Sequence, residues 1–288
     1  MADTGLHKAQ APEAVTAAGL TRRQAYEART RRRSLVLAAT STCAVLLALF
    51  VLVPLAPGWD AVQRSFFNGD IFARSFPGLL QAFVQNVMIF AWCAPIIAIL
   101  GLAIALCRDV RAPVLFPLRL FGALYTDIFR GVPVILVIYL VGFGVPGLGL
   151  PRPWNSPYIW GSVALIVVYA AYVAEVFRSG IESIHESQRA AAASLGLSSA
   201  DTMRYVVLPQ AIQNVMPANM NLFIALQKDV ALLSFIGPVE IFRQAGVFKS
   251  LFANFTPYVG AALIFLAITI PATRYADYLM QRQMRARR

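Results

Sequence analysis

Six apolar runs, each long enough to cross a lipid bilayer as a helix, set the terms for this chain. They lie at about 35–55, 79–106, 125–145, 159–177, 212–236 and 257–280. A hydrocarbon core ~30 Å thick takes ~20 residues of α-helix. Backbone N–H and C=O groups find no water there, so the spanning segments must bond internally as helices. Composition agrees: 58% of residues are hydrophobic and 14% charged, against ~25% charged in a soluble domain. The expected fold is an all-α integral membrane protein with six transmembrane helices.

The formal net charge of +11 raises nucleic acid as a partner. The basic residues flank the apolar runs, however, so membrane topology explains them and no nucleic-acid partner is expected. With both termini in the cytoplasm, Lys8, Arg22, Arg23, Arg29, Arg31, Arg32, Arg33, Arg108, Arg111, Arg119, Arg178, Arg189, Arg204, Arg282, Arg285, Arg287 and Arg288 fall inside. Only Arg64, Arg74, Arg152, Arg243 and Lys249 fall outside. Residues 1–34 read as a disordered basic tail with a short helix near 22–29, and 282–288 as a second basic tail. The run at 35–55 has no clear A-x-A cleavage site after it and reads as an uncleaved anchor. Segments 56–78, 146–157 and 237–256 become outer connections, and the stretch from 178 to 209 is cytoplasmic.

Enzyme chemistry has little to build on. The histidines are His7 and His185, and Cys43, Cys93 and Cys107 lie in apolar runs without metal spacing. GxxxxGK[ST] is missing, so no nucleotide site, metal or cofactor is expected.

The cytoplasmic stretch contains "RAAAASLGLSSADTMRYVVLPQA" (189–211). Alanine favours a helix over 186–195, and Gly196 is the residue type that ends one in a left-handed turn. Ser198 with Asp201 three residues on forms a weakened capping box for a second short helix over about 199–206. Leu208-Pro209 is expected to end it and begin the fifth span. On these grounds alone the loop either folds back on its own subunit or offers a smooth alanine face to another.

This stretch resembles the EAA loop of permease subunits in ATP-binding cassette importers: Glu-Ala-Ala, three residues, Gly, nine residues, Ile, one residue, Leu-Pro. Ala191, Ala192, Gly196, Val206, Leu208 and Pro209 hold those places, while Ala190 stands where the motif has glutamate. "DIFRGVP" (127–133), "AEVFRSGIESI" (174–184) and "LQKDVALLSFIG" (226–237) look like the branch that imports polar amino acids. The resemblance covers roughly residues 79–278. It implies a five-helix permease core, preceded here by the extra helix at 35–55, with a coupling loop at 182–209 seated on a cytoplasmic ATPase. Ala190, Ala191, Ala192, Leu195, Gly196, Leu197, Leu208 and Pro209 would form that contact, with Glu186 a candidate for the missing acid. The implied partners are an ATPase dimer, a second permease subunit, an extracytoplasmic solute-binding protein and membrane lipid.

Within the spans, Lys228 and Asp229 demand explanation, since a charge near mid-bilayer costs at least ~2.5–3.5 kcal/mol on insertion scales. They either pair locally and fix helix packing or line a translocation path. Gln85, Tyr172, Asn221 and Gln227 are further candidates for that path, alongside Asn86, Tyr169 and Asn219. Asn219 and Asn221 cannot share a face. Arg130, Gly131 and Pro133 should kink the third span, with Asp127 pairing to Arg130 at i, i+3. Glu175, Arg178 and Glu182 have the spacing of a small salt-bridge network at the end of the fourth span. A secondary transporter and a cargo-free membrane scaffold remain as alternatives. The first would show inverted repeats and paired broken helices.

Overall fold

The computed structural model describes residues 22–110 and 112–286. Every regular element among them is helical. The chain divides into two compact units, Met1–Arg64 and Ser65–Arg288.

In the first unit, α1 is a single helix from Arg22 to Leu52. The basic stretch expected to be mostly disordered is therefore helical from residue 22 onward, continuous with the apolar run; residues 1–21 lie outside the described residues. Thr40 and Thr42 donate their hydroxyls to the carbonyls of Val36 and Ala38, at 2.9 and 2.8 Å. This back-bonding keeps hydroxyls tolerable in an apolar segment. Helix α2 (Trp59–Phe66) follows at the boundary between the units.

The second unit contains α3 (Gly69–Asp109), α4 (Phe116–Gly131), α5 (Val134–Gly144) and α6 (Pro157–Glu182). After these come α7 (Glu186–Ser194), α8 (Ser199–Asp201), α9 (Leu208–Asp229), α10 (Ile241–Phe252) and α11 (Thr256–Ala286). Helix α3 begins well before the expected start at 79, so 56–78 is largely helical rather than a loop. Helix α11 likewise carries residues 282–286.

Four to six of the described helical stretches qualify as spans, depending on how two bent pairs are counted. Four helical stretches are long and apolar enough to cross a membrane: Arg29–Leu52, Trp59–Asp109, Pro157–Glu182 and Thr256–Arg282. The third and fifth runs are bent pairs, Pro113–Gly131 with Val134–Leu148 at 105° and Ser199–Ile236 with Ile241–Phe252 at 52°. The span count is thus four, or up to six if each bent pair is one span. The first bend follows from sequence: Gly131 ends α4, and Pro133, which has no N–H, precedes α5.

Helix α6 is the centre of the unit. Leu165, Val168, Val173 and the alanines between them are buried on all sides, the pattern of a helix enclosed by others. It packs against α3, α4, α5 and α9. A methyl group at Gly180 would lie 2.3 Å from Val215 Cγ1 of α9, so glycine is what lets these two helices close up.

A second core joins α3, α10 and α11 through Leu79, Phe83, Ile241, Ala245, Ala261 and Ile264. Segment 237–256 is therefore anchored, since one face of α10 is buried. At its start Glu240 is fully buried. Its carboxyl accepts from the N–H groups of Phe242 (2.9 Å) and Arg243 (2.8 Å) and from Asn86 Nδ2 (3.3 Å). Asn86 Oδ1 in turn accepts from Ile241 N at 3.1 Å. Replacing Asn86 with Leu strips a partner from each side of this latch, and a buried group left unpaired costs ~1–3 kcal/mol. Asn86→Leu should lower the thermal midpoint in detergent clearly, whereas Leu at neighbouring exposed Gln85 should change stability by less than ~0.5 kcal/mol.

Candidate functional site

Helices α7 and α8 lie between the C-terminal end of α6 and the start of α9 as a compact helix–turn–helix. The His185 ring accepts from Ser187 N at 3.2 Å and caps α7. At the far end Gly196 has φ +81°. Gly196 N donates to Ala193 O (2.9 Å) and Leu197 N to Ala192 O (3.2 Å), the paired bonds by which a helix ends on a left-handed glycine. Ser198 Oγ accepts from Asp201 N at 3.1 Å and starts α8, as the capping-box spacing predicts.

The next segment departs from expectation. Leu208-Pro209 does not end the second helix. Residues Thr202–Val207 form a π-helical turn, with Leu208 N donating to Met203 O, and run without a break into α9. A proline ring clashes with the carbonyl four residues before it, and a widened turn relieves that clash. The second short helix of the loop and the fifth segment are thus one continuous helical path.

On this projection Ala192 is buried, while Ala190, Ala191 and Glu186 are exposed and Leu197 is half-buried. Leu195 stands out at the turn, 82% exposed. Leu208 is half-buried and Pro209 exposed. A cleft of about 1050 Å³ opens beside the loop, with Glu186, Arg189, Ala190 and Ala193 on one wall and Asp109 and Arg204 among its other lining residues. Glu186 therefore shares a wall with Ala190, one turn away on the same face.

Charged side chains knit the neighbouring helix ends. Glu175 Oε2 lies 2.9 Å from Arg108 Nη1 of α3 and 3.3 Å from Arg130 Nη1 of α4. Arg178 bonds to both Glu175 and Glu182. The network suggested by the spacing of Glu175, Arg178 and Glu182 exists, but it reaches three helices. Arg130 turns to Glu175 rather than to Asp127, because the bend after Gly131 brings the end of α4 against α6.

The polar candidates inside the spans do not converge on one pocket. Asp229 Oδ2 accepts from the Tyr169 hydroxyl at 2.8 Å, and the Tyr172 ring meets that of Tyr169 edge-on at 6.0 Å. Lys228, Asn221 and Gln85 are exposed on the subunit surface, whereas Asn219 is buried. Gln227 borders a separate apolar groove of about 360 Å³ lined by Phe83, Phe90 and Ile268. The sequence reading missed Glu240 as the cap of α10 and Asp109 as the partner of Arg189, at 3.7 Å. Only their charge beside an apolar run could have flagged them.

Residues 65–285 match the family described as "Binding-protein-dependent transport system inner membrane component". A probable glutamine ABC transporter permease, GlnM of Bacillus subtilis (strain 168), is 34% identical over 74% of this chain and 94% of its own length. The arginine transport system permease ArtQ of the same organism is 32% identical over 68% of this chain and 88% of its own. Among solved structures, "Crystal structure of an amino acid ABC transporter with histidines" aligns with TM-score 0.66 at 31% identity, covering 73% of this chain and 96% of that one. A structure of the MetNI methionine ABC transporter shares the fold at TM-score 0.56 and 16% identity. The chain belongs to the family of inner-membrane components of binding-protein-dependent transport systems.

Proposed function

We propose that this chain is the permease subunit of an ATP-driven importer of polar amino acids, contributing the translocation path and no ATP chemistry of its own. Relatives named as amino-acid permeases, aligned over most of their length, support the cargo class. The observation that carries the reading is the projecting α7–α8 turn, with left-handed Gly196 and exposed Leu195. Such a turn offers a small, rigid, apolar tip for the cleft of a separate ATPase subunit. Ala190, Ala191, Leu197 and Glu186 flank that tip, and Glu186 supplies the acid that Ala190 lacks.

Two permease subunits, this one with a second copy or a related chain, enclose the path in this reading, and an ATPase dimer clasps both coupling loops. Both termini lie in the cytoplasm, following the arginine bias. An external solute-binding protein docks on the side bearing 56–78, 146–157 and 237–256. Transport proceeds by alternating access: ATPase closure moves α7–α8, and the unbroken helix through Leu208-Pro209 passes that motion to α9. Asp229, held by Tyr169, is the central polar group of the path. Lys228, Gln227, Asn221, Tyr172 and Gln85 contribute as the two subunits meet.

Gly196 tests the coupling role cleanly, because a Cβ there meets nothing within 4 Å and the penalty is backbone strain of ~1–2 kcal/mol. Gly196→Val should abolish ATPase co-purification and uptake while membrane insertion stays normal; retained coupling would refute the role. Leu195→Asp, which leaves the backbone untouched, should weaken ATPase binding at least ~tenfold, as loss of a buried apolar anchor does. Asp229→Asn should instead leave ATPase binding intact and reduce uptake of labelled amino acid in proteoliposomes.

A further inference from the structure

Two consecutive residues at the end of α3 reach in different directions. Arg108 goes to the spans. Its Nη1 donates to Thr126 Oγ1 of α4 at 2.8 Å and to Glu175 Oε2 of α6 at 2.9 Å. Glu175 also gathers Arg130, from the end of α4, and Arg178. Asp109 goes to the loop, its Oδ2 3.7 Å from Arg189 Nη1 of α7. Arg189 Nη2 donates as well to Ile181 O near the end of α6, at 3.2 Å.

This junction is fitted rather than incidental. A methyl group at buried Gly122 of α4 would fall 2.9 Å from Arg108 Cγ, so the absence of a side chain lets the arginine stem lie flat on α4. Thr126, one turn on, then meets its guanidinium. The side chains of Arg108, Asp109 and Arg189 are each no more than 20% exposed, and partly buried charges are screened less than free surface pairs. Each residue holds two helices in register, which an isolated surface pair does not do.

We propose that Arg108-Asp109 is a second transmission route, by which movement of α7 is carried without covalent linkage into α3 and α4. The helix running into α9 moves one segment. Rocking of a whole subunit needs the others to follow, and the polar connection from α7 to α3 and α4 passes through this dipeptide, while α6 is also held directly by Arg189 at Ile181 O. Arg108, Asp109, Gly122, Glu175 and Arg189 are positioning residues in this scheme. The inference rests on the reading of α7–α8 as the ATPase contact.

The test uses the full permease reconstituted in liposomes with its ATPase and binding protein, measuring ATP hydrolysed and amino acid moved. Asp109→Asn and Arg189→Gln should keep ATPase binding and hydrolysis within about twofold of wild type and lower uptake per ATP about tenfold, the scale of a broken coupling contact. The charge-exchanged pair D109R/R189D should recover uptake to within about threefold. Gly122→Ala alters no charge, yet by displacing Arg108 it should reproduce the loss. Unchanged uptake per ATP in the single variants, no recovery in the exchanged pair, or full efficiency in Gly122→Ala would overturn the route. Should the wild-type chain fail to bind an ATPase at all, the importer reading itself would fall, a result distinct from any of these.

Discussion

Within hydrocarbon, a backbone N–H or C=O without a partner costs several kcal/mol, on the order of a whole side chain's burial. The two sharp bends therefore need a full account of their polar groups. At the first, Val132 N still reaches Ile128 O at 3.1 Å, Pro133 has no N–H to satisfy, and Leu136 N bonds to Pro133 O. At the second, side chains do the work: the Tyr158 hydroxyl accepts from Val239 N, Asn86 from Ile241 N, and Glu240 from the next two N–H groups. One bend is resolved within its own strand of chain, whereas the other depends on α3 and α6.

That contrast organises the rest of the unit. Helix α6 supplies Tyr158 near one end and Glu175 near the other. Between them lie the fully buried alanines Ala164, Ala170, Ala171 and Ala174, and Gly180 just beyond Glu175 lets α9 close on the helix. The same helix thus ties the bend at Gly237–Glu240 near its N-terminal end, the central packing and the charge network near its C-terminal end. The π turn at Thr202–Val207 joins the projecting loop to α9 and gives the loop a covalent hold on this body.

The long spans, the α7–Gly196–α8 turn and the breakpoint at Gly131-Pro133 were legible from hydropathy, helix propensity and glycine or proline chemistry, because each is set by residues close in sequence. What escaped depends on tertiary neighbours. Spacing made Asp127 the natural partner of Arg130, yet the bend delivers Glu175, 45 residues away in sequence, to within 3.3 Å. The side-chain partner of Glu240 gave no local hint, since Asn86 lies on a helix 154 residues earlier. Leu208-Pro209 looked like a stop because a proline opens many helices, and the alternative of widening the turn before it is invisible to propensity. The polar groups within the spans were individually visible, but which of them share a face depends on how α9 packs against its neighbours.

That rotation is itself governed by the wide turn. A π turn accommodates one residue more than an α turn does, and a residue of α-helix subtends about 100° around the axis. The azimuth of the entire fifth segment is therefore indexed at Thr202–Val207, far from the polar groups it orients. Deleting one residue there would turn the loop by about 100° relative to the α9 face that carries Asp229, with no change in any residue on that face.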